Sequence, residues 1–146
     1  MITGEYRNSL DEKGRLLIPS RLRTDISGDV LVLTRGIDKC LWLFTPGEWS
    51  EISAKLVDST SLFQSKARLI QRRIIGPAQE VEIDKSGRIN ISQTLREYAG
   101  LEKECILVGL KKCIEIWDEQ QYLSYMNESE DEFKNAAEEL GEVLSL

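Results

Sequence analysis

The sequence predicts an α+β protein in which two copies of one structural unit share a single core and pair about a pseudo-two-fold axis as a small closed barrel. Three observations carry this. First, Asp11 to Arg23 (DEKGRLLIPSRLR) is written again as Asp84 to Arg96 (DKSGRINISQTLR). At that one offset, without a gap, Asp11/Asp84, Gly14/Gly87, Arg15/Arg88, Ile18/Ile91, Leu22/Leu95, Arg23/Arg96, Gly36/Gly109, Lys39/Lys112 and Cys40/Cys113 are identical. Average residue usage gives roughly two or three chance identities over such a window, so the repeat is real. Second, each copy replays strand, turn, strand, short helix, hairpin and two helices. Third, neither half has enough strands to bury both faces of a sheet, whereas two halves together can close one and remove its edges.

In chain order, Glu5 to Leu10 reads as a strand entering the turn Asp11-Glu12-Lys13-Gly14. Asp at a turn's start accepts local backbone bonds, and Gly supplies a positive φ. Arg15 to Ile18 returns as a strand, Pro19 suits a first helical turn, and Ser20 to Asp25 forms a short helix. Val30 to Leu33 and Cys40 to Phe44 form a hairpin around Gly36 to Lys39. Thr45-Pro46-Gly47-Glu48 is a capping box opening a helix that carries Trp49, Ile52 and Leu56. Thr60 or Ser61, with Gln64, starts another, whose Phe63, Ala67, Ile70 and Ile74 make one apolar stripe among Lys66, Arg68, Arg72 and Arg73. Gly76-Pro77 ends the first half.

The second half follows suit. Gln79 to Ile83 and Arg88 to Ile91 are strands about the Asp84 to Gly87 turn, and Ser92 caps a short helix through Tyr98. Cys105 to Leu110 and Cys113 to Trp117 form a hairpin, and Asp118 with Gln121 caps the next helix. Ser129 with Glu132 caps the last, whose Phe133, Ala137, Leu140 and Leu144 repeat the stripe and are expected to pack on the barrel. The units therefore span 5–47 with a helical extension over 48–75, and 78–120 with an extension over 121–146.

The net charge of −6 is unevenly placed. Residues 127–146 hold Glu128, Glu130, Asp131, Glu132, Glu138, Glu139 and Glu142 against Lys134, which accounts for all of it. Residues 1–126 balance, and Arg7 to Arg23 is locally basic, so a polyanionic partner is not excluded but must meet a confined surface. No window has the apolar length of a membrane span and the N-terminus lacks a signal pattern, so a cytoplasmic chain is expected. The chain has no histidine and no Cys-x-x-Cys, which disfavours a metal site, and Cys40 and Cys113 read as small buried hydrophobes. No Gly-rich phosphate loop is present, and no serine or cysteine has an evident base, so an enzyme is not expected and neither a cofactor nor a small-molecule substrate is implied. Trp42, Trp49 and Trp117 suit a core or subunit contact.

The turn Asp-x-x-Gly-Arg, with a branched strand and a Pro- or Ser-started helix behind it, resembles the swapped-hairpin domain of the SpoVT-AbrB superfamily. Two such units, together with the opening Met1-Ile2-Thr3-Gly4-Glu5-Tyr6 and the first motif Asp11 to Pro19, are similar to the MraZ family of bacterial transcriptional regulators. That resemblance implies a double-split β-barrel built from two swapped-hairpin repeats, flanked by helices and assembled as a homo-oligomer in a closed ring. It implies a nucleoid-associated protein that binds double-stranded DNA at direct repeats in the promoter of a cell-division and cell-wall gene cluster including its own gene. The family's motif arginines map onto Arg15 and Arg88. Lys13 and Lys85 would add charge toward the phosphate backbone, with Arg21 and Arg23 as secondary contacts. Asp11, Gly14, Asp84 and Gly87 would support the turns.

Arginine offers a planar fork for phosphate oxygens or a guanine edge. The competing reading is that Asp11–Arg15 and Asp84–Arg88 only clamp their own turns. The second copy departs from the first: Lys13 becomes Ser86, Glu12 becomes Lys85, Pro19 becomes Ser92 and Arg21 becomes Thr94. An alternative function is a protein-interaction module, as in antitoxins that use the same hairpin, with no operator of its own.

Overall fold

The two halves are joined strand to strand. The computed structural model describes residues 1–59 and 61–146, so the helix start expected at Thr60 lies outside the described residues. The first half contains β1 (Thr3–Ser9), β2 (Arg15–Leu17), α1 (Ser20–Arg23), β3 (Val30–Arg35), β4 (Leu41–Phe44), α2 (Pro46–Asp58) and α3 (Ser65–Ile70), the last running into a π-helical turn over Gln71–Ile75. The second contains β5 (Gln79–Glu82), β6 (Arg88–Asn90), α4 (Gln93–Ala99), β7 (Glu104–Leu110), β8 (Ile114–Asp118), α5 (Glu119–Glu128) and α6 (Glu130–Leu144). Among the described residues the architecture is therefore α+β, with six α-helices.

Six strands form one antiparallel sheet in the order β1-β7-β8-β4-β3-β5. When repeat mates are exchanged (β1 for β5, β3 for β7, β4 for β8), this order reads the same from the other end. Among the described residues, the strands that pair inside their own half are the hairpins β3–β4 and β7–β8, beside an isolated bridge from Leu10 to Leu16. The strands flanking each motif turn pair across: β1 with β7, β5 with β3, and β2 with β6 in a separate two-stranded ribbon. Leu16 faces Ile89 in that ribbon, and both are fully buried. They join Ile18, Ile91, Leu33 and Leu107 in one cluster to which both halves contribute. Burying a side chain of this size contributes about 1.5–3 kcal/mol, so the ribbon is fastened through its inner face.

Helix ends follow local chemistry where the caps formed. The Thr45 hydroxyl accepts from the Glu48 N–H, Ser92 from Leu95 and Asp118 from Gln121. Ser129 does not cap α6; its hydroxyl donates to the Tyr125 carbonyl instead, because the chain turns there with φ −99° and ψ 14° rather than in the extended geometry a cap needs. The stripe expected from Phe63 to Ile74 also breaks up. Helix α3 begins only at Ser65, and of its residues only Ala67 is buried. Helix α6 does not lay its stripe on the sheet: Phe133, Leu140 and Leu144 are all exposed. Periodicity makes a helix amphipathic but does not supply the surface that covers it. No described helix is long and apolar enough to cross a membrane.

Candidate nucleic-acid interface

The ribbon brings the two motif arginines together. Register sets Arg15 opposite Asn90 and Leu17 opposite Arg88. Successive strand residues point to opposite faces, so with Leu16 and Ile89 turned into the core, Arg15, Leu17, Arg88 and Asn90 share the outward face. Arg15 and Arg88 are diagonal neighbours there, a relation that spans roughly 7–8 Å between α-carbons. The ribbon is held from behind: the Asn8 side-chain amide donates to the Leu17 carbonyl at 2.8 Å.

Each turn is built around its aspartate. Asp11 Oδ1 accepts from the backbone N–H groups of Lys13 at 2.9 Å and Arg15 at 2.8 Å. The Gly14 N–H donates to the Asp11 carbonyl at 3.1 Å, with Gly14 at φ +80°. Asp84 does the same with Ser86 at 2.8 Å and Arg88 at 3.0 Å, and Gly87 sits at φ +84°. The side chains then differ. Arg15 Nε donates to Asp11 Oδ2 at 2.7 Å, with the side chain still 42% exposed. Arg88 has no carboxylate partner among the described residues.

Electrostatics follow the bonds. The Arg15 backbone N–H holds Asp11's carboxyl below the usual carboxylate range against desolvation, helped by the Arg15 guanidinium and the Lys13 N–H. Asp84 is lowered chiefly by the Arg88 N–H, then by that of Ser86, and also by the charge of Arg15 from the other repeat. The charge of Arg15 thus reaches the aspartate of the second turn.

Lys13 and Lys85 are exposed at their own turns. Arg23 crosses to the opposite turn: a Cβ built on Gly87 would lie 2.5 Å from its Nη1. Arg21 is exposed on α1, beside a cleft it lines with Met1, Thr3 and Tyr6. Arg7 is drawn away from the ribbon by Glu119 at 3.4 Å.

Sequence reasoning passed over Arg96, although its identity with Arg23 at the repeat offset was a usable signal. Its guanidinium lies over Gly14, where a built Cβ would come within 2.9 Å of Cζ, and its Nε donates to the Ile91 carbonyl. Matching backbone bonds, Ile91 N–H to the Gly14 carbonyl and Ile18 N–H to the Gly87 carbonyl, each at 2.9 Å, tie every turn to the opposite repeat. Asn90 and Leu17 were also missed as members of the outward face, since only cross-repeat pairing puts them there.

The cysteines take no part in this face. Burial pushes the Cys105 thiol up to about 12 and Cys113 up to about 11, and raises Cys40 further, so all three stay protonated at neutral pH.

Comparison with known proteins agrees with this two-part construction. The family described as "MraZ protein, putative antitoxin-like" matches twice, over residues 1–73 and 74–143. A protein named transcriptional regulator MraZ from Treponema denticola is 53% identical over 142 residues, covering 97% of this chain and 99% of that one. One of the same name from Treponema pallidum (strain Nichols) is 47% identical over 141 residues, covering 97% and 95%. With both halves matched and relatives this similar end to end, the chain belongs to the MraZ family.

Proposed function

We propose that this chain is a sequence-specific DNA-binding transcription regulator. Its targets are short direct repeats in the promoter of a cell-division and cell-wall gene cluster that includes its own gene. The observation carrying this reading is that Arg15 and Arg88 lie on one outward face of a ribbon made jointly by the two repeats. A two-stranded ribbon fits the major groove, and arginine forks there suit guanine edges. Lys13, Lys85, Arg21 and Arg23 then supply phosphate contacts that set position. Asp11, Asp84, Gly14 and Gly87 shape the turns, and the swapped strands close as a double-split barrel about a pseudo-two-fold axis. The chain works in the cytoplasm, associated with the nucleoid, as a homo-oligomeric ring whose unequal halves meet head to tail. Weak contacts from several subunits to repeated boxes then multiply through effective concentration.

A gel shift on the DNA upstream of its own gene tests this. Arg15→Ala and Arg88→Ala should each lose roughly five- to hundredfold in affinity while remaining folded, and affinity should fall steeply with salt. Unchanged binding by both variants would falsify the ribbon as the reading face. A protein-interaction module is the second reading, supported by the uncovered stripe of α6. Copurification of a stoichiometric small partner without operator binding would favour it.

A further inference from the structure

Asn90 is an unexpected residue for its place. It lies in β6, and asparagine is depleted in strands because it suits a pleated, half-buried surface poorly. Its side chain is exposed on the outward face of the ribbon, and among the described residues its amide bonds to no other group. Asn8, by contrast, commits its amide to the Leu17 carbonyl from behind.

Register fixes what stands beside it. Arg15 is directly opposite Asn90. The Ile18 N–H bonds to the Gly87 carbonyl and the Ile91 N–H to the Gly14 carbonyl, two pairs that continue the ribbon at either end. Hydrogen-bonded and non-hydrogen-bonded pairs alternate along an antiparallel ladder, so Arg15 and Asn90 form a non-hydrogen-bonded pair, with α-carbons about 4.5 Å apart and side chains close. That spacing matches neighbouring bases, stacked roughly 3.4 Å apart. The Arg15 fork is oriented by Asp11 and suits the two acceptors of a guanine edge. The amide beside it offers one donor and one acceptor, the complement of N7 and N6 on adenine.

We infer that Asn90 is a specificity-determining residue that reads an adenine beside the guanine taken by Arg15. This rests on the ribbon being the DNA-reading face, as proposed above. At the other end of the ribbon Arg88 stands opposite Leu17, which has no side-chain hydrogen bond to offer and suits a thymine methyl. The adenine-reading amide therefore occurs at one end only. The face reads DNA in one direction, as direct repeats need and a palindrome does not.

Selection from a randomised duplex library tests this with wild type, Asn90→Ala and Arg15→Ala. Asn90 is exposed, so circular dichroism should show an unchanged fold. Wild type should select a motif in which an adenine lies next to a guanine. Asn90→Ala should keep the guanine and accept any base at the adenine, losing roughly five- to hundredfold on the wild-type motif and nothing on unrelated duplex. Arg15→Ala should relax at the guanine instead. Placing 7-deazaadenine, which lacks the N7 acceptor, at the adenine should weaken wild type and leave Asn90→Ala as it was. If Asn90→Ala selects the wild-type motif at whatever affinity, or wild type tolerates 7-deazaadenine, the role of Asn90 is overturned while the reading face stands. If Arg15→Ala also selects that motif, or wild type selects none, the ribbon as reading face falls with it.

Discussion

In the first motif turn, Asp11 holds both the backbone N–H and the guanidinium of Arg15; in the second, Asp84 holds the backbone N–H of Arg88 and leaves its guanidinium without a carboxylate. The backbone of the two turns is nonetheless the same, down to the positive φ of Gly14 and Gly87. The signature Asp-x-x-Gly-Arg thus encodes a turn first, since in both copies one aspartate oxygen accepts from the same two main-chain N–H groups. What the arginine does beyond the turn is set by its neighbours. The outward face repeats this lesson: its other two members, Leu17 and Asn90, are repeat mates with opposite chemistry. Two equal turns therefore present an unequal surface, suited to an asymmetric target.

The largest effect should come from the face the copies share. Leu16→Ala and Ile89→Ala should each cost about 2–5 kcal/mol in urea denaturation, in similar measure because the two side chains oppose each other in one core. A cost well below this in one of them would mean that the ribbon is not equally anchored by both repeats. Next comes DNA binding, about 1–3 kcal/mol per motif arginine. Here the comparison sharpens: Asp11→Asn should also weaken binding, since it releases Arg15, whereas Asp84→Asn should leave the Arg88 guanidinium as it was. Equal losses from the two aspartate variants would erase the distinction between the turns.

Smaller still, Gly14→Ala and Gly87→Ala should cost about 1–2 kcal/mol each for a side chain at positive φ. Gly14 should suffer more, because its Cβ would displace the Arg96 guanidinium that donates to the Ile91 carbonyl, whereas the Arg23 guanidinium over Gly87 is the end of a flexible side chain without such a bond at Nε. Thermal melts would rank them. The smallest effect is in titration. Both aspartates are lowered, so their stabilisation is complete above the ordinary carboxylate value and is lost as pH falls through the lowered folded values. Carboxyl NMR should find Arg15→Ala raising the midpoints of both Asp11 and Asp84. Arg88→Ala should move Asp84 alone.

Much of this was legible along the chain. The repeat offset, both turns, the hairpins and the caps at Thr45, Ser92 and Asp118 follow from contacts a few residues apart, and the relevant side chains stand beside the groups they satisfy. Ser129 shows the limit, because a capping pattern does not work where the backbone enters the helix from a different geometry. The stripes of the Phe63 and Phe133 helices show another: spacing specifies an apolar face but not what covers it, and Phe63, Ile70, Phe133, Leu140 and Leu144 are left exposed.

The sequence by itself determined that two equivalent arginine-bearing turns exist, because turn chemistry is local and glycine and aspartate carry it. Only the tertiary structure decided that β2 pairs with β6, that Arg23 and Arg96 lie over each other's turns, and that Arg15, Leu17, Arg88 and Asn90 form one face. Those outcomes depend on which strand finds which partner across the two repeats. That choice is settled by the core they bury in common, not by the residues adjacent to each turn.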